Sequence, residues 1–509
     1  MNNKRESWGT KIGVILAVAG SAVGLGNFLR FPVQAVKNGG GVFMIPYIVS
    51  FLVLGLPLMW IEWTAGRFGG GFGHGTAPGI FHTMWQKNKF IKYFGVIGIF
   101  GPLVIFMYYT YIESWLLGYT FFSFTKKFVL LNTAEGMREF LCWYRESLYS
   151  YIFFVVTFAI NTTIIYFGIK KGIEKFCNWA MPLLLFLAVI LLIRVLTMGN
   201  INPFEPQNNP IKGLEFLWTP DFGKLFNPKV WLAAAGQIFF TLSVGIGVIL
   251  TYASYLKKTD DVILSGLTSA ATNEFVEVIL GGSIVIPAAF AFLGPQRAVE
   301  IASSSAFDLG FVTIPLIFKQ LPLGTIFAFF WFLLLFLAGV TSSVSLAQPT
   351  ITFLEDEFDI PKKDAVLAYG ILTFILCQPS VFLLKYGVVD ELDFWGGTFC
   401  LVLFGCVESI IFSWVFGIEK AWDEMHVGAD IKLPKFYKFI IKYITPLVLI
   451  VILVSYLLQE GLNVILLKNV SKELIPVVVF TRIYLLTIFV ILAILVREAW
   501  RRKKDSINP

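Results

Sequence analysis

Apolar residues in this chain follow neither the alternation of a half-buried strand nor the narrow stripe of a surface helix. They gather in long runs separated by short polar stretches. About 20 apolar residues carry a helix across hydrocarbon, and twelve runs reach that length, at roughly residues 12–36, 41–66, 92–124, 149–169, 176–198, 229–255, 261–293, 323–354, 364–384, 394–416, 436–458 and 474–498. The pattern predicts an all-α polytopic membrane protein with twelve transmembrane helices. Two runs are interrupted. The first contains Gly20-Ser-Ala-Val-Gly-Leu-Gly-Asn-Phe-Leu-Arg30, where three glycines, an amide and a guanidinium fall at mid-run. Glycine weakens a helix, and hydrocarbon offers no water to replace lost backbone bonds, so such a break belongs where it lines a cavity and holds a ligand. The sixth run contains Gly236-Gln-Ile-Phe-Phe-Thr-Leu-Ser-Val-Gly-Ile-Gly247, with Gln237, Thr241, Ser243 and further glycines in one short stretch.

The second break comes five spans after the first. Five is odd, so spans one to five and six to ten cross with opposite polarity, which predicts a 5+5 inverted repeat with the site between its broken helices. The chain then reads as one transmembrane domain, 1–509, with repeats at 1–200 and 228–416 and two additional helices in 433–500. Transmembrane glycines also serve close helix packing. That reading suits one glycine-rich span better than two at matching places, each with polar residues.

Composition agrees: of 509 residues 57% are hydrophobic, 17% aromatic and 14% charged, with a mean hydropathy of +0.76. The net charge of +7 lies in short loops rather than one stripe, a topology signal rather than a nucleic-acid surface. Lys4, Arg5 and Lys11, then Lys87, Lys89 and Lys92, Lys170, Lys171 and Lys175, Lys257 and Lys258, Lys362 and Lys363, and finally Arg501 to Lys504 all fall on one side. Both termini are therefore expected in the cytoplasm of a cell with the protein in its inner (plasma) membrane. The longer opposite loops, 125–148, 199–228 and 294–322, form the outer face. The five cysteines and three histidines show no metal or disulfide spacing. The first run is too long for a cleaved signal peptide. No His, nucleophile elbow or metal motif accompanies the intramembrane carboxylates, so an enzyme is not expected.

Ionisable groups at membrane depth are costly and usually functional. Glu62, Glu113, Glu274, Glu277 and Glu408 lie in or near apolar runs, Glu62 and Glu113 reading best as structural acceptors. Asn273 and Glu277 share a helix face that can meet the break at Thr241. Arg30 needs an anion, and Asp393 stands at a suitable depth; Arg5 and Asp356 match them on the cytoplasmic side. In the eighth run, Thr341, Ser342 and Ser345 either bond back to their own helix or offer a dehydrated sodium ion neutral oxygens. Beside a broken first helix the ion reading is preferred.

The segments NFLRFPVQA, NGGGVFMIPY, GLPLMWIEW, YYTYIESW, GQIFFTLSVGIG, TYASY, TNEFVEVILGGS, AGVTSSVS, FLEDE and DELDFW together resemble the neurotransmitter:sodium symporter family nearly end to end, close to its bacterial leucine-carrying branch. The resemblance implies two sodium sites. One uses the Ala22 carbonyl, the side chains of Asn27, Thr241 and Asn273, and the substrate carboxylate; the other uses the carbonyls of Gly20, Val23 and Ala338 with the hydroxyls of Thr341 and Ser342. It places the substrate carboxylate on the amides of Leu25 and Gly26 and the Tyr109 hydroxyl. The ammonium falls to Ala22, Phe240, Thr241 and Ser243, and the side chain to a pocket of Ser21, Ile105, Tyr109, Phe240, Ile246, Ser342 and Leu346. That branch has asparagine in place of Ser21 and phenylalanine in place of Ile246, so pocket shape differs here. Gly24 stands where amine carriers have aspartate, favouring a substrate that brings its own carboxylate. Glu277 stands where chloride-dependent relatives have a small neutral residue, so its carboxylate substitutes for chloride. The implied function is sodium-coupled symport of a neutral, mainly apolar amino acid by alternating access, gated by Arg30 and Asp393 outside and Arg5 and Asp356 inside. The alternative is another small zwitterion or an amine on the same scaffold. The partners are the amino acid and the lipid bilayer, with no nucleic acid; a homodimer is a compatible assembly.

Overall fold

A computed structural model describes residues 6–127, 131–199, 205, 207–304, 306–468 and 470–507. The first apolar run forms two helices, α1 (Lys11–Ala22) and α2 (Gly26–Lys37), bent by 47° at the junction. The long membrane-length helices that follow are α3 (Gly41–Gly70), α4 (Ile91–Phe124), α5 (Leu148–Tyr166) and α6 (Ile169–Leu196). The sixth run is split into α7 (Pro228–Thr241) and α8 (Val248–Ala253). Then come α9 (Val262–Ile301), α10 (Gly324–Phe358), α11 (Lys362–Phe382), α12 (Val388–Val415), α13 (Phe436–Tyr456) and α14 (Ile475–Lys503). Among the described residues ten helices thus have the length and apolarity of a membrane span, and the bent α1–α2 pair is an eleventh. The remaining run is cut into α7 and α8, neither of them long enough alone. Helix ends fall within about five residues of the apolar-run limits, except that α6 and α12 begin further upstream of their runs, and α9 continues past its own only across a non-helical kink at Gly294 (φ 76°).

Both breaks have local causes. At the end of α1, Val23 turns to φ −72°, ψ 92°, out of the helix. Between α7 and α8 the chain is left-handed at Ser243 (φ 53°), Gly245 (φ 76°) and Gly247 (φ 79°). Glycine is the residue that enters this region without cost. Space demands it too: a Cβ on Gly245 would lie 2.6 Å from the Leu401 carbonyl oxygen, and one on Gly247 2.4 Å from that of Gly98. The freed backbone finds side-chain partners, as burial requires: the Gly245 amide donates to Glu62 Oε1 at 2.5 Å.

Helix α10 is buried almost continuously from Trp331 to Phe353 and makes its most extensive contact with α4. The two are joined across α5 by Glu113, which accepts from Asn161 Nδ2 at 3.0 Å and from the Ser343 hydroxyl. Against this core lean α1, α6 and α8. Helices α13 and α14 are peripheral, only 22% and 28% buried over their most apolar windows. At the end carrying the lysine-rich loops, Arg67 donates to the carbonyls of Asp260 (2.6 Å), Val427 (2.7 Å) and Glu424, clasping the loop before α9 to the segment that follows α12.

Candidate functional site

The two breaks face each other across a cavity of about 100 Å³. By that measure one water needs about 10–15 Å³, so the space suits a small solute rather than a peptide. Ser21, Ala22, Leu25 and Gly26 line it from the first break, Phe240, Thr241, Ser243 and Ile246 from the second, Ile105 and Tyr109 from α4, and Ser342 and Leu346 from α10. The structure therefore brings together all twelve positions expected to contact substrate. Gly24, Asn27, Tyr108, Gly397 and Leu401 complete the wall. Helical spacing accounts for Tyr108, since residues three and four apart share a face and Ile105 and Tyr109 were already expected there. Gly397 and Leu401 carry no sequence signal: they lie four apart in an apolar span with nothing polar to mark its inward side.

Around the breaks, backbone groups and short side chains satisfy one another. The Ser21 carbonyl accepts from Ser243 Oγ (3.1 Å) and Ser342 Oγ (3.2 Å). The Gly24 amide donates to Asn27 Oδ1 (2.8 Å), and the Leu25 amide reaches the Tyr109 hydroxyl at a long 3.3 Å. Ser243, expected to offer its hydroxyl to a ligand, is thus already donating to Ser21.

A polar cluster adjoins the cavity. Asn27 Nδ2 lies 2.8 Å from Asn273 Oδ1, 3.1 Å from Glu277 Oε2 and 3.3 Å from Thr241 Oγ1. Asn273 Nδ2 donates to Thr241 Oγ1 at 3.1 Å, and Thr241 donates to Glu277. Gln237 Nε2 holds the other Glu277 oxygen at 2.7 Å. Gln237 was visible as a polar residue in the sixth run but was not assigned to the site. These side chains come from α2, α7 and α9, so any cation among them would tie three helices together; neutral oxygens beside one carboxylate suit a hard monovalent cation. A second group lies where α1 packs against α10. Here the hydroxyls bond back to their own helix: Thr341 Oγ1 (3.0 Å) and Ser342 Oγ (3.1 Å) donate to the Ala338 carbonyl, and Ser345 donates to that of Thr341 (2.7 Å). A Cβ on Gly20 would approach Thr341 Cβ to 3.2 Å. Val23, where the helix opens, follows one turn on.

Toward the end away from the lysine-rich loops, the expected direct Arg30–Asp393 pair does not form among the described residues. The Arg30 guanidinium instead lies 3.9 Å from the centre of the Phe240 ring, over the cavity, while Asp393 Oδ1 accepts from the Tyr108 hydroxyl at 2.5 Å. The physical reason is competition: a planar cation gains from an aromatic face, and the tyrosine hydroxyl satisfies the carboxylate. Toward the lysine-rich end, Trp8 Nε1 donates to the Tyr252 carbonyl at 2.9 Å, with the rings edge-on at 5.3 Å. Tyr252 donates to Ser345 (3.0 Å), and Gln348, Tyr255 and Thr352 bond among themselves at 2.8 to 3.2 Å. Trp8 was not foreseen; its signal is an aromatic residue just before the first span. Arg5 lies outside the described residues, so its pairing with Asp356 is not described; the Asp356 carbonyl accepts from Lys503 Nζ at 3.2 Å.

Comparison with known proteins gives a consistent picture. The profile of the sodium:neurotransmitter symporter family matches residues 5–143 and 150–498. An uncharacterized sodium-dependent transporter of Methanocaldococcus jannaschii is 32% identical over 88% of this chain and 89% of its own length. A sodium-dependent dopamine transporter of Caenorhabditis elegans is 24% identical over 89% of this chain and 80% of its own. Among solved structures, that of MhsT in complex with L-phenylalanine superposes with a TM-score of 0.76 at 30% identity, covering 89% of this chain and 99% of that one.

Proposed function

The chain belongs to the sodium:neurotransmitter symporter family, a sodium-dependent membrane transporter and not an enzyme, and we propose that its cargo is a neutral, mainly apolar amino acid. The observation that carries this reading is the small cavity between the two breaks: a largely apolar wall with backbone dipoles at one end and neutral oxygens beside it. The substrate carboxylate meets the Leu25 and Gly26 amides at the start of α2, where the helix dipole favours negative charge, together with Tyr109. Its ammonium meets the carbonyls of Ala22, Phe240 and Thr241, where α1 and α7 end and the dipole favours positive charge. Ile105, Ile246, Leu346 and Leu401 receive the side chain.

Two sodium ions accompany the substrate as cargo. The first takes Ala22, Asn27, Thr241 and Asn273 with the substrate carboxylate, so ion and amino acid each complete the other's site. The second takes Gly20, Val23, Ala338, Thr341 and Ser342 and ties α1 to α10. Glu277 supplies the negative charge that chloride supplies elsewhere, and transport does not require chloride. The two five-helix repeats, 1–200 and 228–416, rock against each other about the site. Phe240 and Arg30 close the outer side; the layer of Trp8, Tyr252, Tyr255 and Gln348 closes the inner, cytoplasmic side with the Arg5–Asp356 pair. Both termini lie in the cytoplasm, with the protein in the cell's inner membrane.

Uptake into proteoliposomes tests this. Labelled leucine, methionine, alanine and aromatic amino acids are offered with sodium or potassium outside, in chloride or gluconate. Accumulation of at least one under sodium, equal in both anions, is expected. Absence of sodium-driven accumulation of any of them rejects the amino-acid reading, and loss of uptake in gluconate rejects the role of Glu277.

A further inference from the structure

A second cavity, of about 600 Å³, opens on the flank of the molecule where α12 ends and α13 begins. It lies at the end that carries the lysine-rich loops. Its walls include Trp414, Phe416 and Tyr443, and its charged groups are Glu419, Lys420 and Lys442. Lys438 neutralises Glu419. Among the described residues neither Lys420 nor Lys442 has a carboxylate within 4 Å; their ammonium groups lie 4.5 Å from the Phe416 ring centre and 5.0 Å from that of Tyr443. Trp414, Phe436, Phe439 and Tyr443 are 47 to 59% exposed within or beside apolar spans, as residues of a lipid-facing wall would be. The indole of Trp414 donates to the Lys442 carbonyl at 2.6 Å, fixing one wall to the other.

Lys442 lies six residues inside α13, about 9 Å along the helix from its start at 1.5 Å per residue. A cation at that position on a lipid-facing helix is unfavourable unless it reaches the interface or meets an anion. Aromatic residues gather where headgroups meet acyl chains, and basic pockets between spans on the cytoplasmic side suit anionic headgroups.

We infer that this cavity binds one anionic phospholipid, its phosphodiester between Lys420 and Lys442 and its acyl chains along Trp414 and Tyr443. A zwitterionic lipid is disfavoured because its own ammonium would meet the two lysines. A free phosphate gains nothing from the aromatic walls. The inference is independent of which solute the transporter carries.

Native mass spectrometry of the full-length protein tests it, after incubation with vesicles of phosphatidylglycerol and phosphatidylcholine in equal amounts. The wild type should retain one phosphatidylglycerol in preference to phosphatidylcholine. Replacing both lysines with glutamine, Lys420→Gln and Lys442→Gln, should weaken retention about 30-fold, from the loss of two cations near an anionic headgroup. The charge-preserving pair Lys420→Arg and Lys442→Arg should keep it. Retention of both lipids equally by the wild type overturns the inference even where the glutamine pair fails to fold. So does undiminished retention by a folded glutamine pair, loss of retention in the arginine pair, or displacement of the lipid by inorganic phosphate at equal free concentration.

Discussion

At Gly24 the missing side chain leaves open the space that the proposed substrate carboxylate needs. A Cβ there would lie 3.0 Å from Ser342 Oγ and 3.1 Å from the Tyr109 hydroxyl, so a carboxylate at this position would enter the space assigned to the substrate's own. Like charges forced together cost several kcal/mol, and Gly24→Asp is expected to lower zwitterion uptake about 100-fold. Unchanged uptake of the preferred amino acid would contradict the carboxylate placement. Thr341 tests the second ion position. Its Oγ1 is 3.0 Å from the Ala338 carbonyl, and Thr341→Val keeps the shape while deleting that oxygen. Sodium for half-maximal uptake should rise about tenfold, the equivalent of about 1.4 kcal/mol. A sodium titration that overlays the wild type's would remove Thr341 from the site.

Among the elements, the interrupted α7–α8 span carries the clearest structural demand. Gly245 is left-handed and has the Leu401 carbonyl against its missing Cβ; Gly236, in the regular helix α7, has nothing within 4 Å. Gly245→Ala should destabilise by about 1–3 kcal/mol through backbone strain, and Gly236→Ala should be neutral or stabilise by up to about 1 kcal/mol through helix propensity. Thermal unfolding in detergent separates the two, and equal melting temperatures would contradict the argument that this break is sterically enforced. Glu62 reads as part of the same element, because its carboxylate holds the Gly245 amide. Both breaks were legible in the sequence, since glycine and small polar residues at mid-span have few other uses in hydrocarbon. The angle of 47° between α1 and α2 was not, because it depends on what packs against Val23 and Leu25.

For the molecule as a whole, the proposed outer gate would close through a cation over an aromatic ring rather than through the ion pair that sequence spacing suggested. Arg30 covers Phe240 at 3.9 Å, and Asp393 is held by Tyr108. Arg30→Ala should therefore leave the fold intact and speed release of bound amino acid to the outside about tenfold, within the range of a partly desolvated cation–π contact. Tyr108→Phe should have a smaller effect on the same rate, because it frees Asp393 without uncovering Phe240. Release from both variants at the wild-type rate would show that the outer lid lies elsewhere.

The sequence by itself determined the span pattern, the two breaks, the family and the cavity-lining residues near each break, because membrane burial forces apolar length and makes every mid-depth polar group conspicuous. Tertiary structure alone decided three things: that Gly397 and Leu401 close the cavity wall, that Gln237 shares Glu277 with the Asn27 cluster, and that Arg30 meets a ring instead of Asp393. Each depends on which of several apolar faces turns inward or which of two partners stands nearer. A sequence of almost uniform hydrophobicity leaves those choices to the packing of helices far apart in the chain.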